Sequence, residues 1–443
     1  MNLKAPINEN YAGTIVEIKT LIPLEGCDNV VHANIFGNLV VVSKDTKVGD
    51  KGVYFPVETR LSNEYLSANN LYRDNTKNAN VGEKGYFDDN GRIRCVKFRG
   101  HRSQGLVMPL NSLFKFAEIA DLATLKVGDV FDNLNGIKIC EKYVIPTAIS
   151  KAGAKNQASK PKESRVVEGQ FRFHSDTSHL GKNIHKIYPN TIISITNKLH
   201  GTSFVVSKVL VKRKLKWYDK ILKFFGAQFV ETKYDMIYSS RKVIKNDTNK
   251  TYNHYYKMDV WELAANFFKD YMPDGMTIYG ELLGYTPDGT PIQKGYDYGC
   301  DRGATKHAIY RITYTNWAGQ TFEFSAKQVQ QWCKYNGLNA VPEYFYGKAK
   351  EILPDMIEDS ETLSVYPMEL SQWQTELLEK LQNSYNMEKD CELCKNAVPA
   401  EGIVVRVEAL DYEAYKLKAF RFSERETKEL DKGVVDIETS ESE

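Results

Sequence analysis

The chain has 443 residues, of which 42% are hydrophobic and 12% aromatic, and its formal net charge is +2. This composition excludes a disordered chain, and the length predicts two domains or three, because a single core stops growing near about 250–300 residues. The net charge alone says nothing about nucleic acid. However, basic residues gather between Lys198 and Lys257. Such a segment is expected of a chain that binds polyphosphate or nucleic acid, although a solvated helix face has the same composition.

The cysteines bear on the cellular compartment. Seven are scattered along the chain, which has neither an apolar run long enough to span a bilayer nor a signal-peptide pattern at its start. We therefore expect a cytoplasmic monomer with reduced thiols and no membrane partner. Cys391 and Cys394 form a C-x-x-C pair. Structural zinc and two ordinary thiols both remain open for it, since no second pair with zinc spacing follows.

Residues 1–145 have the pattern of an all-β domain. Alternating and apolar runs predict strands, with Gly37 and Asn38 as the turn of a hairpin. The polar stretch 62–91 predicts a long loop. We expect a small closed β-barrel of the OB-like kind, a fold that commonly binds nucleic acid.

A basic strand follows that loop, in the stretch GRIRCVKFRGHRSQGLVMPL. Its basic residues alternate with apolar ones and are Arg92, Arg94, Lys97, Arg99 and Arg102. We expect these five side chains to contact nucleic acid, because such barrels combine basic and apolar residues on their binding face. The alternative is a strand that only keeps the outer face of the barrel soluble.

The second half mixes strands and helices. Residues 146–166 are rich in Ala, Lys, Ser and Pro and predict a linker. Helical periods follow at 214–226, 251–272, 324–337 and 370–386, between strand-like runs. We therefore expect an α+β domain over 167–435 with antiparallel sheets, and an acidic tail at 436–443.

The first chemical signal is a lysine at the end of an apolar strand. Lys198 follows TIISI and lies three residues before Gly201. A deprotonated lysine amine can attack the α-phosphate of a nucleotide, forming a phosphoramidate and expelling pyrophosphate. The glycine lets the backbone approach that phosphate. Alone this pattern is weak, since a solvated lysine has the same appearance.

Further charged and aromatic residues follow in a fixed order. They are Arg241 in SSRK, Glu281 in IYGE, Tyr310 in AIYRI, Glu401 in EGIVVR, and Lys416 and Lys418 in YKLK. Residues i and i+2 of a strand share a face, so both lysines can enter one pocket and neutralise charge that develops on a phosphate. A carboxylate such as Glu401 can hold a divalent metal on the phosphates.

This order resembles the covalent nucleotidyltransferase superfamily of polynucleotide ligases and mRNA capping enzymes, over about residues 170–435. KLHG is similar to motif I, SSR to motif Ia, YGE to motif III, IYRI to motif IIIa, EGIVVR to motif IV and YKLK to motif V. The chain most resembles RNA ligase family five, in which an OB-like domain precedes the transferase domain. That resemblance includes the basic stretch above, DTSHLGKNI and RETKELDKG.

The resemblance implies a nucleotide-binding role for the first group of residues. Lys198 would become adenylylated by ATP, with Leu199 and Gly201 beside it in motif I. Glu281 would hold the ribose hydroxyls, and Tyr310, in place of the usual phenylalanine, would stack on adenine.

The resemblance also implies how the phosphates are handled. Arg241 would contact ribose or phosphates, and Glu401 would place Mg²⁺ or Mn²⁺. Lys416 and Lys418 would grip the α-phosphate. AMP would then pass from the lysine to a 5′-phosphate end, which a 3′-hydroxyl attacks, and the family suggests nicks in an RNA or RNA/DNA duplex with a ribonucleotide 3′ end.

Two departures from the family pattern stand out. His200 replaces a usual aspartate or asparagine, so any metal–water contact of that position is in doubt, and Arg311 stands where many ligases have aspartate. Segments 214–226 and 353–395 look like enlargements that bind nucleic acid or only pack.

Three functions remain open at this stage. An ATP-dependent RNA ligase leads. A capping-type guanylyltransferase or a DNA ligase usually carries an OB domain after motif V, where this chain has only about 25 residues after Lys418. A non-catalytic nucleic-acid-binding protein should have lost at least one charged motif residue.

Overall fold

The computed structural model describes residues 3, 5–145, 164–213, 216–225, 231–246, 256, 258–354, 367–385 and 387–434. Within these residues, no helix combines the length and apolar character that crossing a bilayer requires. The expected linker lies outside them apart from 164–166, and the expected acidic tail lies outside them entirely. Arg165 forms an ion pair with Asp235 at 2.8 Å, so residues 164–166 pack on the second domain.

The amino-terminal domain is built of short strands. They are β1 (Gly13–Glu17), β2 (Leu21–Pro23), β3 (Val30–Ile35), β4 (Asn38–Ser43), β5 (Lys51–Phe55), β6 (Thr59–Leu61), β7 (Cys95–Phe98), β8 (His101–Gln104), β9 (Leu106–Pro109), β10 (Val130–Phe131), β11 (Asn133–Leu134), β12 (Ile137–Lys138) and β13 (Cys140–Lys142). Its α-helices are α1 (Asn63–Ala68) and α2 (Ile119–Leu122).

The sequence led us to expect a closed barrel, but these strands do not close into one. In the described part of the domain they form a four-stranded sheet, β10–β1–β5–β9, a three-stranded sheet, β2–β3–β4, and the pairs β7–β8, β6–β13 and β11–β12. Apolar side chains such as Ile15, Phe55 and Tyr65 fill one core, and Val16, Ala33 and the Tyr54 ring fill a second. The strands therefore surround packed cores without a continuous ring of hydrogen bonds.

Two local predictions for this domain were wrong. The hairpin turn consists of Phe36 and Gly37 rather than Gly37 and Asn38, since Ile35 pairs with Asn38. Both turn residues have positive φ, 55° and 81°, as a tight two-residue hairpin requires. The stretch 62–91 contains helix α1, whose first turn is capped by the Ser62 side chain accepting from the Tyr65 amide.

The second domain has two five-stranded sheets and six described α-helices. Its strands are β14 (Ser178–His179), β15 (Ile192–Lys198), β16 (Thr202–Lys212), β17 (Thr232–Ser239), β18 (Met276–Gly284), β19 (Thr305–Thr315), β20 (Thr321–Glu323), β21 (Glu343–Lys348), β22 (Gly402–Val407) and β23 (Glu413–Lys418). The helices are α3 (Leu180–Asn183), α4 (Trp217–Phe224), α5 (Val260–Phe268), α6 (Ala326–Tyr335), α7 (Pro367–Gln382) and α8 (Phe420–Asp431). The expected α+β class is confirmed.

The two sheets meet at the end of β15. The first sheet has the order β14–β23–β22–β15–β21 and the second β17–β16–β18–β19–β20, so the chain passes from one to the other through 199–201. Along β15, Ile193 and Ile195 are buried in the core. Alternate residues of a strand point to opposite faces, so Ser194, Thr196 and Lys198 face the other way. That face carries the site described below.

The predicted helices are present, with boundaries that differ by a few residues and by most at the start of α5. Helix α5 begins at Val260, whereas the period predicted a start at 251, and the Asp259 side chain caps it by accepting from the Trp261 and Glu262 amides. Residues 251–255 and 257 lie outside the described part.

The amino-terminal domain is docked against the second domain. The Gln382 side-chain amide of α7 donates to the Gly37 carbonyl at 2.6 Å. At α3, a Cβ on Gly181 would lie 1.9 Å from the Phe36 carbonyl oxygen, so only glycine permits this approach. The tip of the β3–β4 hairpin thus fits between two helices of the other domain.

Candidate functional site

One cavity of about 510 Å³ contains the residues singled out by the motif order. Its lining includes Lys198, Leu199, Gly201, Arg241, Glu281, Tyr310, Glu401, Lys416 and Lys418. These positions span more than 200 residues of sequence, and they meet because both sheets of the second domain end at this cavity.

At the centre of the cavity, Lys198 forms an ion pair with Glu401. The Lys198 Nζ lies 2.6 Å from Glu401 Oε1, and the register of β15 on β22 brings them together because Lys198 pairs with Gly402. Gly402 has φ 144°, and a Cβ there would lie 2.0 Å from the Leu417 carbonyl oxygen. The glycine after Glu401 is therefore needed for strands β22 and β23 to come together at this point.

Glu401 is a buried carboxylate that remains charged. Burial alone would raise its pKa, but the electrostatic effects of Lys198, His200 and Lys418 outweigh burial and hold the pKa below its usual range. Its Oε2 is buried and has no hydrogen-bond partner among the described residues. A buried anionic oxygen without a hydrogen-bond partner, on a residue that lines the cavity, fits a divalent cation or its hydration shell.

The two lysines of β23 share a face but differ in charge state. Burial and the nearby cations Lys418 and Lys198 lower the pKa of Lys416 to about 7. Burial acts in the same direction on Lys418, but Glu426 and Glu401 outweigh it and raise its pKa above the usual range. Lys418 contacts both Glu426 oxygens at 3.1 and 3.0 Å. Lys418 is thus a fixed cation, whereas Lys416 can gain a proton when an anion arrives.

Gly201 allows the motif I backbone to approach β18. A Cβ there would lie 2.2 Å from the Leu282 carbonyl oxygen and 2.7 Å from Glu281 Cγ. The Gln293 amide donates to the Gly201 carbonyl at 2.8 Å. Glu281 in turn accepts from the Ser203 hydroxyl at 3.3 Å, so its carboxylate is held beside the cavity, where it can accept hydrogen bonds from hydroxyl groups.

Tyr310 and Arg241 are held by residues from the segment before β14. The Tyr310 hydroxyl forms a 2.7 Å hydrogen bond with His174 Nδ1. Arg241 donates to Asp176 through Nε and Nη2 at 2.9 and 2.7 Å. Burial would raise the pKa of Asp176, but Arg241 and Lys242 outweigh it and hold it below the usual range.

His200 packs against aromatic rings. Its ring lies edge-on to Tyr296 and Phe422, with centroids 5.0 Å away in both cases, and its backbone amide donates to the Tyr298 hydroxyl at 2.6 Å. Among the described residues, no group of three or more His, Cys, Asp or Glu side chains is placed to hold a metal ion. The pair Cys391 and Cys394 therefore lacks the further ligands that structural zinc needs.

Several residues of this site were missed by the sequence analysis. They are His174, Asp176, Ser203, Glu426 and, from the amino-terminal domain, Tyr11. Burial raises the pKa of Tyr11 to about 12, so it stays a neutral hydroxyl beside Lys418. Asp176 and Glu426 lie in DTSHLGKNI and RETKELDKG, stretches that the family resemblance already marked without assigning roles.

The five basic residues predicted in the amino-terminal domain do not line this cavity. The prediction that Arg92 contacts nucleic acid is wrong for this conformation: its side chain is 0% exposed and pairs with Glu58 and Asp431. Arg94 also pairs with Asp431, at 3.3 Å.

The other three basic residues are exposed. Arg102 contacts Glu388 at 3.3 Å and lies over the Phe420 ring, and Lys97 lies over the same ring at 5.9 Å. Arg99 is in the β7–β8 turn. Nucleic-acid contact stays a prediction for these three residues and for Arg94, whose side chain is 33% exposed.

Comparisons with known proteins give a family and a fold. A family model described as RNA ligase matches residues 191–420, and an OB-fold domain model matches 12–110, which confirms the OB-like class of the amino-terminal domain. No curated protein sequence matches the chain.

Solved structures of Naegleria gruberi RNA ligase have the same fold. A variant with AMP and Mn is 16% identical, covers 93% of this chain and 98% of that chain, and has a TM-score of 0.55. The ligase with pyrophosphate is 16% identical, covers 95% and 100%, and has a TM-score of 0.54. A variant with ATP and Mn is 15% identical, with 93% and 98% coverage and a TM-score of 0.55.

Proposed function

Because the RNA ligase model covers just over half of this chain, the chain belongs to the RNA ligase family, and we propose that it joins 5′-phosphate to 3′-hydroxyl ends. The reaction uses ATP and passes through AMP bound covalently to Lys198. The observation that carries this proposal is the Lys198–Glu401 ion pair at 2.6 Å in a cavity that also contains Lys416 and Lys418.

In the first step, Nζ of Lys198 attacks the α-phosphate of ATP. A bond forms between nitrogen and phosphorus, the bond to the bridging oxygen breaks, and pyrophosphate leaves. Lys198 must lose a proton and separate from Glu401 before its lone pair is available. In this proposal Lys416 and Lys418, which line the same cavity, stabilise the charge on the α-phosphate, and Lys416 gains positive charge as the anion binds.

The nucleoside lies between the two sheets in this proposal. Glu281, held by Ser203, accepts hydrogen bonds from the ribose hydroxyls. The Tyr310 ring, whose hydroxyl is fixed by His174, stacks on adenine. Leu199 and Gly201 form the adjoining wall of the pocket. The support for ATP as the nucleotide is this arrangement together with the ATP in the Naegleria gruberi structure.

Glu401 is the residue that fits a divalent metal, Mg²⁺ or Mn²⁺, through its free Oε2. A metal held there would supply positive charge that stabilises the phosphates in the transition state. His200 packs in an aromatic cluster, which supports the division of roles in which Glu401 rather than position 200 places the metal.

The second and third steps use the nucleic acid. AMP passes from Lys198 to the oxygen of a 5′-phosphate, and a 3′-hydroxyl then attacks that activated phosphate and releases AMP. In this proposal these phosphates are contacted by Arg241, which lies at the cavity wall and is paired with Asp176. We propose a nicked duplex with a ribonucleotide 3′ end as the substrate, contacted by the exposed Lys97, Arg99 and Arg102.

The domain division follows from the same proposal. Residues 1–145 bind nucleic acid, 167–435 carry adenylylation, and the intervening 146–166 link them. The cytoplasmic location and the monomeric state are also part of the proposal.

The test has two arms. The protein is incubated with ATP or GTP labelled at the α-phosphate and a divalent metal, and the label is followed through denaturing electrophoresis. We expect label from ATP that is lost in Lys198→Ala and kept in Lys208→Ala, a lysine of β16 paired with Asp274 at the surface. Label from GTP alone would place the chain with capping enzymes. A nicked duplex with RNA or DNA on the 3′ side then defines the substrate.

A further inference from the structure

Helix α4 exposes an apolar face away from the cavity. The side chains of Trp217, Phe224 and Phe225 are 74%, 86% and 77% exposed, and Tyr218 and Ile221 are also exposed. Positions 217, 221, 224 and 225 follow the i, i+4, i+7, i+8 pattern of one helix face. Monomeric proteins rarely leave so many large apolar side chains together on the surface without a partner.

The same segment is strongly basic. Between Lys212 and Phe225 the sequence has six basic residues and one acidic residue, Asp219. Most of these basic residues come before Trp217, among them Lys212 and Lys216. The segment thus combines large exposed apolar side chains with a high density of positive charge.

The fold carries this helix beyond the body of the sheet. Strand β16 pairs with β18 only from Thr202 to Ser207, while its pairing with β17 continues to Lys212. Helix α4 follows the far end of that two-stranded ribbon. At about 3.3 Å per residue, the length of β16 places it roughly 30 Å from motif I, so a surface bound there leaves the cavity open.

We propose that the exposed face of α4 docks on an anionic lipid surface. The helix would lie in the plane of the bilayer interface, with Trp217, Phe224 and Ile221 among the upper acyl chains and Lys212 and Lys216 toward the headgroups. Lysine near an anionic leaflet adds electrostatic attraction to the apolar contact. Such a contact needs no spanning helix, and it would replace the expectation that the chain has no membrane partner.

Other occupants fit this face less well. A nucleic acid would pair with the lysines and could stack on aromatic rings, but it offers nothing to Ile221 and would leave most of the apolar face in water. A second copy of the chain would bring two lysine-rich helices together, and like charges in contact are repulsive. An anionic lipid surface offers acyl chains to the apolar residues and negative charge to the basic residues at the same time.

The test is flotation of the full chain with vesicles. We expect it to float with vesicles of phosphatidylcholine and phosphatidylglycerol in equal amounts, less with phosphatidylcholine alone, and less again as salt is raised. The double variant Trp217→Ser/Phe224→Ser should lower the bound fraction by about tenfold or more, since it removes the deepest apolar contacts. The matched control is Trp317→Ser, because Trp317 is 79% exposed between β19 and β20.

A charge variant keeps the proposal testable if the apolar variant misfolds. Lys212→Glu/Lys216→Glu should also lose binding to the anionic vesicles. All variants should still take label from ATP, which reports an intact second domain. Failure of the wild-type chain to float with anionic vesicles would overturn the proposal, as would equal flotation of the double variant. Loss of nicked-duplex binding by the double variant, without any vesicle binding by the wild type, would assign the face to nucleic acid.

Discussion

Replacing Arg92 by methionine tests whether the two domains are held together through a buried charge cluster. Arg92 Nε and Nη2 donate to Glu58 at 2.7 and 2.8 Å, and Nη1 donates to Asp431 at 3.0 Å. Nη2 also donates to the Thr427 carbonyl at 3.1 Å. Arg92→Met leaves the Glu58 carboxylate buried without its main partner, and breaking a buried ion pair in this way costs about 3–5 kcal/mol.

The matched control is Arg94→Met. The Arg94 side chain is 33% exposed and pairs with Asp88 at 3.0 Å and with Asp431 at 3.3 Å. Because Asp431 keeps Arg92 as its partner in this variant, the loss of Arg94 should cost about 1 kcal/mol or less. The free energy of unfolding is measured for both variants by urea titration. Adding Glu58→Gln to Arg92→Met should recover part of the loss, because it removes the orphaned charge.

The same cluster connects to catalysis through α8. Thr427 and Asp431 of this helix contact Arg92, and Glu426 of the same helix holds Lys418. Arg92→Met should therefore also slow labelling by ATP, whereas Arg94→Met should not. A smaller loss of stability in Arg92→Met than in Arg94→Met would refute the reasoning.

The remaining predictions concern the cavity. Since Lys416 has a pKa of about 7, ATP should bind with net proton uptake at pH values above about 7, because the phosphates raise that pKa; calorimetry in buffers of different ionisation enthalpy measures the uptake, which Lys416→Met should remove. Gly201→Ala should abolish labelling by ATP, because its Cβ has no room, while circular dichroism remains unchanged if only the site is affected. Tyr310→Phe should keep the ring and raise the KM for ATP by less than about tenfold, whereas Tyr310→Ala should raise it further. Glu401→Ala should abolish labelling and His200→Asp should leave it largely intact; if both variants are labelled like the wild type, the division of roles between these positions is wrong.

The motif resemblance marked the residues of the cavity, and the geometry of single strands accounts for part of their placement. Lys198 ends β15, and the two-residue period of β23 places Lys416 and Lys418 on one face. These are local properties of strands. The order of strand ends along the chain then determines which side chains can converge.

Long-range contacts are what the sequence did not predict. Arg92 was predicted to contact nucleic acid because basic and apolar residues alternate around it, but docking of α8, more than 330 residues away in sequence, buries it against Glu58. His174 and Asp176 have no local pattern that predicts their contacts with Tyr310 and Arg241. Such pairs follow from the packing of distant segments, which periodicity does not report.

The central claim is most directly tested by a chase of the labelled protein. The protein is labelled with α-phosphate-labelled ATP, freed of nucleotide, and mixed with a nicked duplex that has a 5′-phosphate and a ribonucleotide 3′ end. We predict that the label leaves the protein and that the nick is sealed in a single round without added ATP. In Lys198→Ala neither event should occur. Label that stays on the protein, or sealing that requires free ATP in every round, would contradict a covalent AMP intermediate on Lys198.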